Sequence, residues 1–528
     1  MKKLFLLPLI ILCLQAFAQN DDAAKYAAVI TGEGLKKHLT VIASEEMQGR
    51  ETGTEGQRKA AAYIEDQFKK IGLNMPQGMT GYQQLYPLYQ DSLLSSSITI
   101  GKTALVFGND YYIDARTNDN GNFKSNKIVF AGYGIEDDKY SDYTSIDVKG
   151  KTVIIFLGEP KIDGKYLISG TTRGSEWTFP GLSKKLALAE KKGAAGILVI
   201  NPNLETISAR TAENNKRTNI FFPRNAVGKM LNYAFISHAA AKNLLGVSAD
   251  SILTHGKNSI SFQKNELIEI SAKTAFKYNE QRNTINASNV LGVIEGTDKK
   301  NEYVFLTGHY DHLGMHDGKI YYGADDDGSG TVAVIQMAEA FAKAKAEGKG
   351  PRRTIVFMTV SGEEKGLWGS EYYSDHPVFP LDKTSVDLNT DMVGRIDTER
   401  KMADTMNYVY VVGHDKLSSD LPLINEGMNK KYTGLMLDYK FDDPNDKERI
   451  YFRSDHYNFA RKGVPVLFFY DGMLKADYHK PSDTIEKITW PLYETRVRMI
   501  FHTAWDIANR DEMLKRDIPL PASAANGR

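Results

Sequence analysis

Tyr303-Val304-Phe305-Leu306-Thr307-Gly308-His309-Tyr310-Asp311 reads as an apolar strand that ends in a histidine and a carboxylate. Spacing of i, i+2 places the side chains of His309 and Asp311 on one side of an extended chain. A histidine that binds metal through one ring nitrogen usually gives its other N–H to a carboxylate, so Asp311 reads as that partner or as a direct ligand. The same pattern recurs outward from this strand. Gly323-Ala324-Asp325-Asp326-Asp327-Gly328-Ser329-Gly330 leads into an apolar helix from Thr331. Three consecutive carboxylates repel one another and only a capping one gains from a helix start, so a nearby cation is the economical explanation. Val360-Ser361-Gly362-Glu363-Glu364 ends another apolar strand. Adjacent glutamates point in different directions, so one can bind metal while its neighbour takes a proton from water. Asp391 ends the strand from Val386 to Thr390, and Tyr478-His479-Lys480-Pro481-Ser482-Asp483-Thr484 follows the apolar stretch 464–470. Five strand-end sites rich in histidine and carboxylate, with no cysteine, suit zinc or a similar divalent ion.

The surrounding rhythm is that of an α/β sheet covered by helices on both faces. Strand patterns at 290–294, 303–307, 354–360, 385–391, 407–412 and 464–470 alternate with helical ones at 330–345, 416–430 and 490–509. In such folds ligands bind beyond the carboxyl ends of the strands. Upstream, 21–43 and 54–72 carry helical apolar spacing, separated by the Gly49–Gly56 turn segment. Residues 82–105 alternate in the manner of short strands. Residues 125–265 read as a separate β-rich module. Its strands are expected at 127–133, 152–157 and 196–200, with a helix at 183–192 completing a βαβ element.

Length and charge bound the rest. The chain has 528 residues, which predicts two to four compact units, and its 66 basic and 66 acidic side chains argue against nucleic acid as a partner. Lys2 and Lys3, an apolar run from Leu4 to Leu14, and Ala16-Phe17-Ala18 predict a secretory signal at 1–18, cut after Ala18. The run is too short to span a bilayer. A lipid anchor on Cys13 is disfavoured because Leu12 stands where such signals carry a small residue. The expected location is therefore periplasmic or extracellular. Cys13 is the only cysteine, so an exported chain must rely on packed cores, bound metal, or both.

The ordered series of His-x-Asp, Gly-Ala-Asp-Asp-Asp-Gly-Ser-Gly, Gly-Glu-Glu-x-Gly-Leu-x-Gly-Ser, Asp-Met-Val-Gly and Tyr-His-x-Pro-Ser-Asp-Thr closely resembles the co-catalytic di-zinc metallopeptidases, which include bacterial leucine aminopeptidases and glutamate carboxypeptidase II. The resemblance covers about 30–125 and 265–510. It implies a mixed, mostly parallel sheet flanked by helices, with peptidase segments at 19–124 and 266–528 around a protease-associated domain at 125–265. It further implies that Asp326 bridges two zinc ions, that His309 and Asp391 complete one site, and that Glu364 and His479 complete the other. Glu363 becomes the general base acting on a metal-bridging water, and Asp311 orients His309. A cis bond is expected at Asp326-Asp327. Arg453, Asp455, His456 and Tyr478 resemble residues near the substrate pocket of relatives.

The activity this implies is an exopeptidase acting on peptides, an aminopeptidase first. A carboxypeptidase or dipeptidase of the same family would need arginines for a terminal carboxylate, and Arg395 and Arg453 lie close to motif residues. A single-zinc glutaminyl cyclase fits less well, given a complete second site and the inserted module. A receptor-like, non-catalytic relative fits less well because all five ligand positions and Glu363 are filled. The sequence contains no His-Glu-x-x-His helix and no Gly-x-Ser-x-Gly elbow.

Overall fold

The computed structural model describes residues 21–113, 115, 121–179, 181–201, 204, 209–224, 231–246, 268–401, 404–443 and 445–520; the expected signal and Cys13 lie outside them. Contacts divide the chain into two compact units. One comprises the chain through Tyr86 together with that from Asn286 onward, and the other is Pro87–Ile285.

The first unit carries the strands β1 (Glu269–Ile294), β2 (Lys299–His309), β3 (Arg353–Val360), β4 (Thr384–Thr390), β5 (Tyr408–Val412), β6 (Met436–Asp438) and β7 (Val466–Tyr470), of which β1 contributes its residues 290–294. Their order is β6-β5-β7-β4-β2-β3-β1. The pairs β2–β3, β2–β4, β4–β7 and β5–β6 are parallel, whereas β1–β3 and β5–β7 are antiparallel. This is a mixed, mostly parallel sheet. Its register aligns His309 with Val360 and Thr390 with Phe469, so the carboxyl ends of β2, β3, β4 and β7 meet along one edge.

Alternation within the strands feeds two cores. Val304, Leu306, Ile355, Phe357, Val386 and Leu388 face a core shared with α1 (Asp22–Ala27), α2 (Gly32–Ile42), α3 (Glu55–Ile71), α4 (Gly330–Ala346), α6 (Asp420–Tyr432) and α8 (Trp490–Asn509). Phe305, Val356, Met358 and Phe468 face the other, with α5 (Trp368–Asp375) and α7 (His456–Ala460). α4 is buried on almost every side, which is why its sequence is apolar all round. The helical pattern expected over 21–43 is two helices, because the Thr31 hydroxyl caps the Gly34 N–H and restarts the chain there. α3 stops at Gly72, whose φ of 84° favours glycine.

Two buried arginines tie irregular segments to this frame. Arg496 in α8 donates to the carbonyls of Tyr408 (2.9 Å), Val393 (2.9 Å) and Arg395 (2.6 Å). Arg50 donates to those of Tyr310 (2.7 Å), Ile42 (2.8 Å), Tyr322 (2.7 Å) and Gly323 (2.9 Å). A buried guanidinium is tolerable only with its fixed fork of donors largely satisfied, and these carbonyls do that.

In the second unit the strands Gly121–Phe130, Thr152–Phe156, Gly196–Ile200 and Tyr233–Ile236 pair in parallel in that order. The helix Leu182–Lys191 links the second and third as a βαβ crossover. Residues 269–278 of β1 run antiparallel to Gly121–Phe130. Glu269 receives both Lys127 (2.5 Å) and Lys151 (2.6 Å), and Arg282 grips Asp91 through two bonds of 2.7 and 2.8 Å.

His502 in α8 stacks on Tyr432 with ring centroids 3.8 Å apart. Burial, partly opposed by Asp21, lowers its pKa from 6.5 to about 4. Between those values the unfolded chain binds a proton that the folded chain does not, so the neutral ring's contribution is complete above pH 6.5 and falls away toward pH 4. The shift corresponds to about 3 kcal/mol. His502→Gln is expected to flatten the loss of thermal stability between pH 7 and pH 4.5, and parallel pH profiles for variant and wild type would show that another group governs it.

Candidate functional site

The acidic turn is held by its two outer carboxylates. Asp327 accepts the backbone N–H groups of His309 (3.0 Å), Gly330 (2.6 Å) and Met392 (3.1 Å). Asp325 accepts from Gly394 N (2.8 Å) and its carboxyl faces that of Asp471; burial and that neighbour keep it well above the ordinary range. The backbone N–H groups of Asp325 and Asp326 both point to the Asp483 carboxylate, at 3.0 and 3.1 Å. The Asp326-Asp327 bond is cis. Asp326 alone turns its carboxylate outward.

Two groups of side chains converge on it. Asp326 Oδ1 lies 3.3 Å from His309 Nε2, which is 3.5 Å from Asp391 Oδ1 and 3.8 Å from Glu363 Oε2. Asp326 Oδ2 lies 3.2 Å from His479 Nε2, and that atom is 3.0 Å from Glu364 Oε2. The other four residues expected as metal ligands, and Glu363, therefore meet around the Asp326 carboxylate. His312, which the sequence reading passed over, joins the second group with Nδ1 2.8 Å from Glu364 Oε1.

The orientation of these atoms decides their chemistry. His309 Nε2, His312 Nδ1, Asp326 Oδ2 and Glu364 Oε1 are buried, and none has a hydrogen-bond partner. Orphaned buried polar atoms are costly, and lone-pair atoms brought this close together fit a cation. The donor set of imidazole and carboxylate suits a divalent metal such as zinc. Geometry alone also groups Asp327 with His309 and Asp391. Its oxygens are occupied by three N–H groups, so it acts as a backbone clamp. A third cluster, His414, Asp415 and Asp442, already has a cation, because Lys416 Nζ lies 2.5 Å from Asp442 and 2.7 Å from Asp415.

Charge follows burial and neighbours. Burial opposes ionisation of Asp326, but the imidazoles of His309, His479 and His312 outweigh it and hold the carboxyl well below its usual value. Glu363 moves the other way. Burial raises it well above the ordinary range, His309 opposes, and Glu364, Asp391 and Asp455 add to the rise. A carboxyl whose proton affinity is raised by burial and by neighbouring acids is suited to holding a proton.

The supporting contacts come from distant segments. His309 Nδ1 donates to the Asp311 backbone carbonyl (3.1 Å), while the Asp311 carboxylate stands 3.7 Å from that nitrogen. That carboxylate accepts the Thr52 hydroxyl (2.6 Å) and the Glu363 N–H (3.3 Å), and Thr52 also receives Gly362 N (3.0 Å). Asp311 thus holds both His309, through its backbone, and the Glu363 turn. Ser454 donates to Asp391 Oδ2 (2.7 Å) and is itself held by Asn389 (2.8 Å).

A cleft of about 340 Å3 opens on Asp326, Glu363 and Asp391, with Met392, Ile450, Phe468 and Leu474 as apolar walls and Arg453, Tyr470 and Tyr478 as polar ones. Arg453 donates to the Tyr478 hydroxyl (3.1 Å), and Tyr478 stacks on His479 at 3.8 Å. The other residues singled out near the pocket do not line it. Asp455 accepts the Ser370 hydroxyl, and His456 packs on Phe468, its pKa lowered to about 3 by burial. Arg395 is bonded to Asp477 at 2.7 Å.

Residues 289–504 match the model of Peptidase family M28. This region belongs to that family. A probable zinc metalloprotease of Pyrenophora teres f. teres is 35% identical over 128 residues, 23% of this chain and 24% of that protein. A probable leucine aminopeptidase of Arthroderma benhamiae is 28% identical over 191 residues, 35% of this chain and 48% of its own. Aminopeptidase YwaD of Bacillus subtilis is 24% identical over 263 residues, 47% of this chain and 48% of its own. The chain thus spans about a quarter to a half of the length of the curated relatives it matches. Among solved structures, an aminopeptidase from Aneurinibacillus sp. strain AM-1 aligns over 94% of this chain and 99% of its own, with a TM-score of 0.47 and 17% identity. Membership places the M28 region among the zinc metallopeptidases, and the donor set fits that metal.

Ser454→Ala removes the hydroxyl that orients Asp391. Zinc affinity, read by competition with a chelator, is expected to fall about 10- to 100-fold, the usual cost of losing such a partner. Unchanged affinity would show that Asp391 is held without it.

Proposed function

We propose that the chain is an exported aminopeptidase that holds two zinc ions and hydrolyses N-terminal residues from peptides, with Glu363 as general base. The observation that carries this reading is the Asp326 carboxylate. One oxygen faces His309 and the other faces His479, so a single side chain can serve two ions. His309 and Asp391 would complete one site, and Glu364 and His479 the other. When bound, the ions supply Lewis acidity toward the scissile carbonyl and lower the pKa of water toward about 7.

The chain's own residues do the rest. Glu363 lines the cleft, and its backbone N–H is fixed by Asp311. It takes a proton from the attacking water as the new C–O bond forms, and returns it to the leaving amine as the C–N bond breaks. No side chain forms a covalent intermediate. Asp311 and Ser454 hold His309 and Asp391 in place, the first through a backbone carbonyl and the second through its hydroxyl.

The cleft floor is acidic, which favours a substrate's free α-amine. Of the two arginines considered for a terminal carboxylate, Arg395 is committed to Asp477, and only Arg453 reaches the cleft. The probable leucine aminopeptidase of Arthroderma benhamiae and aminopeptidase YwaD of Bacillus subtilis, to which the chain is similar, support this preference. We further read residues 125–265, within the compact unit Pro87–Ile285, as the protease-associated module and residues 1–18 as the export signal. An intact-mass measurement on exported protein beginning at Gln19 would support the cleavage site.

The test is a panel of free and N-acetylated amino-acid anilides and peptides, assayed with metal-replete protein, after chelation and with Glu363→Ala. Free substrates should be cleaved and acetylated ones spared, and chelation should abolish turnover. Glu363→Ala should retain metal and lose roughly 10²- to 10⁴-fold in rate. Turnover after complete metal removal would sink the mechanism, and equal cleavage of acetylated substrates would sink the aminopeptidase assignment.

A further inference from the structure

His312 lies three residues beyond His309, where the chain leaves β2 and forms a bridge to Glu51. It is fully buried, and neither ring nitrogen has a hydrogen-bond partner. Its place is fixed from two sides. Its backbone N–H bonds to the Arg50 carbonyl at 3.3 Å, and its ring lies against Gly323, where a Cβ would come within 2.5 Å of the imidazole. Gly323 has a φ of 53° and its carbonyl is held by Arg50. The glycine leaves the space the ring occupies.

The ring faces Glu364 and Asp326. Nδ1 is 2.8 Å from Glu364 Oε1 and 3.8 Å from Asp326 Oδ2, and both oxygens are themselves buried without a hydrogen-bond partner. His479, with Nε2 3.0 Å from the other Glu364 oxygen, approaches from a different direction, its ring plane at 70° to that of His312. His312, Asp326 and Glu364, from three separate segments, thus bring ligand atoms close to one another, and His479 reaches the second and third of them from a fourth segment. The group containing His309 has three such residues, His309, Asp326 and Asp391, with Glu363 beside it.

We propose that His312 is a fourth protein ligand of the Glu364/His479 metal, so that the two metal positions are unequal; this rests on the two-metal reading above. A position with four protein donors is closed in the manner of structural zinc, whereas one with three keeps a place for water or substrate. The Glu364/His479 metal is therefore the tightly held one, and the His309/Asp391 metal, next to Glu363, is the exchangeable one on which turnover depends. A sixth ligand residue also distinguishes this chain from the five-ligand set that the family resemblance implies.

The experiment compares wild type with His312→Ala and His312→Asn, using His316→Ala at an exposed position as control. Bound zinc is counted across a graded series of chelator concentrations, and the visible absorption of cobalt-substituted protein reports coordination without reference to activity. Wild type should release metal in two steps. In His312→Ala the tighter step should weaken about 10- to 100-fold, toward the looser one, and the cobalt band of the tight site should change in position and intensity. His316→Ala should match wild type. An unchanged tight step and cobalt spectrum in the folded variant would overturn the assignment. If His312→Ala fails to fold, His312→Asn is read by the same two measurements. A wild type that binds no metal overturns both readings. One that binds a single metal whose affinity depends on His312 overturns the metal pair and upholds the ligand.

Discussion

The Asp327 carboxylate is the fixed point on which the site depends. It takes three backbone N–H groups, one from the end of β2, one from the start of α4 and one from the segment after β4. Those segments carry His309, Asp326 and Asp391. Asp483 fixes the turn from its other side by taking the N–H groups of Asp325 and Asp326. The three acids in a row are therefore three different devices. Two spend their oxygens on the backbone or a neighbouring carboxyl, and their constraint leaves the middle one free to face the imidazoles. Hydrogen bonds to a buried carboxylate are among the stronger contacts available, and here they act on chain geometry before any ligand is considered.

Around that point the segment Gly49–Gly53 acts as a strap behind the chemistry. Arg50 satisfies four carbonyls from three loops, Glu51 pairs with Lys365 at 2.7 Å, and Thr52 joins Asp311 to Gly362. The whole-chain charge of zero says nothing of this. What matters is that acids are concentrated where strands end, while the buried Arg50 and Arg496 are spent on carbonyl oxygens. The acids of the turn, Asp325, Asp326 and Asp327, are left to a neighbouring carboxyl, to backbone N–H groups and to histidines.

Much of this was legible from the sequence, for a physical reason. Strand alternation and the position of polar residues at strand ends depend on local spacing, so His309, the acidic triplet, the Glu363-Glu364 pair, Asp391 and His479 stand out together, whereas the choice of Asp326 within the triplet and the separate roles came from the family resemblance. The α/β sheet covered by helices on both faces follows from the same rhythm, and its mixed, mostly parallel order from the resemblance. Residues whose role depends on distant partners were not legible. Ser454 matters only because Asp391 lies against it, and Thr52 only because of Asp311 and Gly362. His312 escaped because period-two spacing from His309 assigns it to the opposite face, and the chain turns before that rule applies. Asp455 and His456 misdirect for the converse reason, since polar residues in a motif read as site residues even when they are packed beneath one.

The division of the first unit across the chain sets an order of events during synthesis. Thr52 and Gly362 are 310 residues apart. At ribosomal speeds of about 5–20 residues per second, the early helices wait roughly 15–60 s before the strand they brace has been made. The unit Pro87–Ile285 emerges whole in that interval and has its own apolar cores. The amphipathic faces of α2 and α3 stay uncovered meanwhile, a natural binding surface for chaperones. A fold that cannot close until its last third arrives keeps its first helices in an unfinished state through most of synthesis.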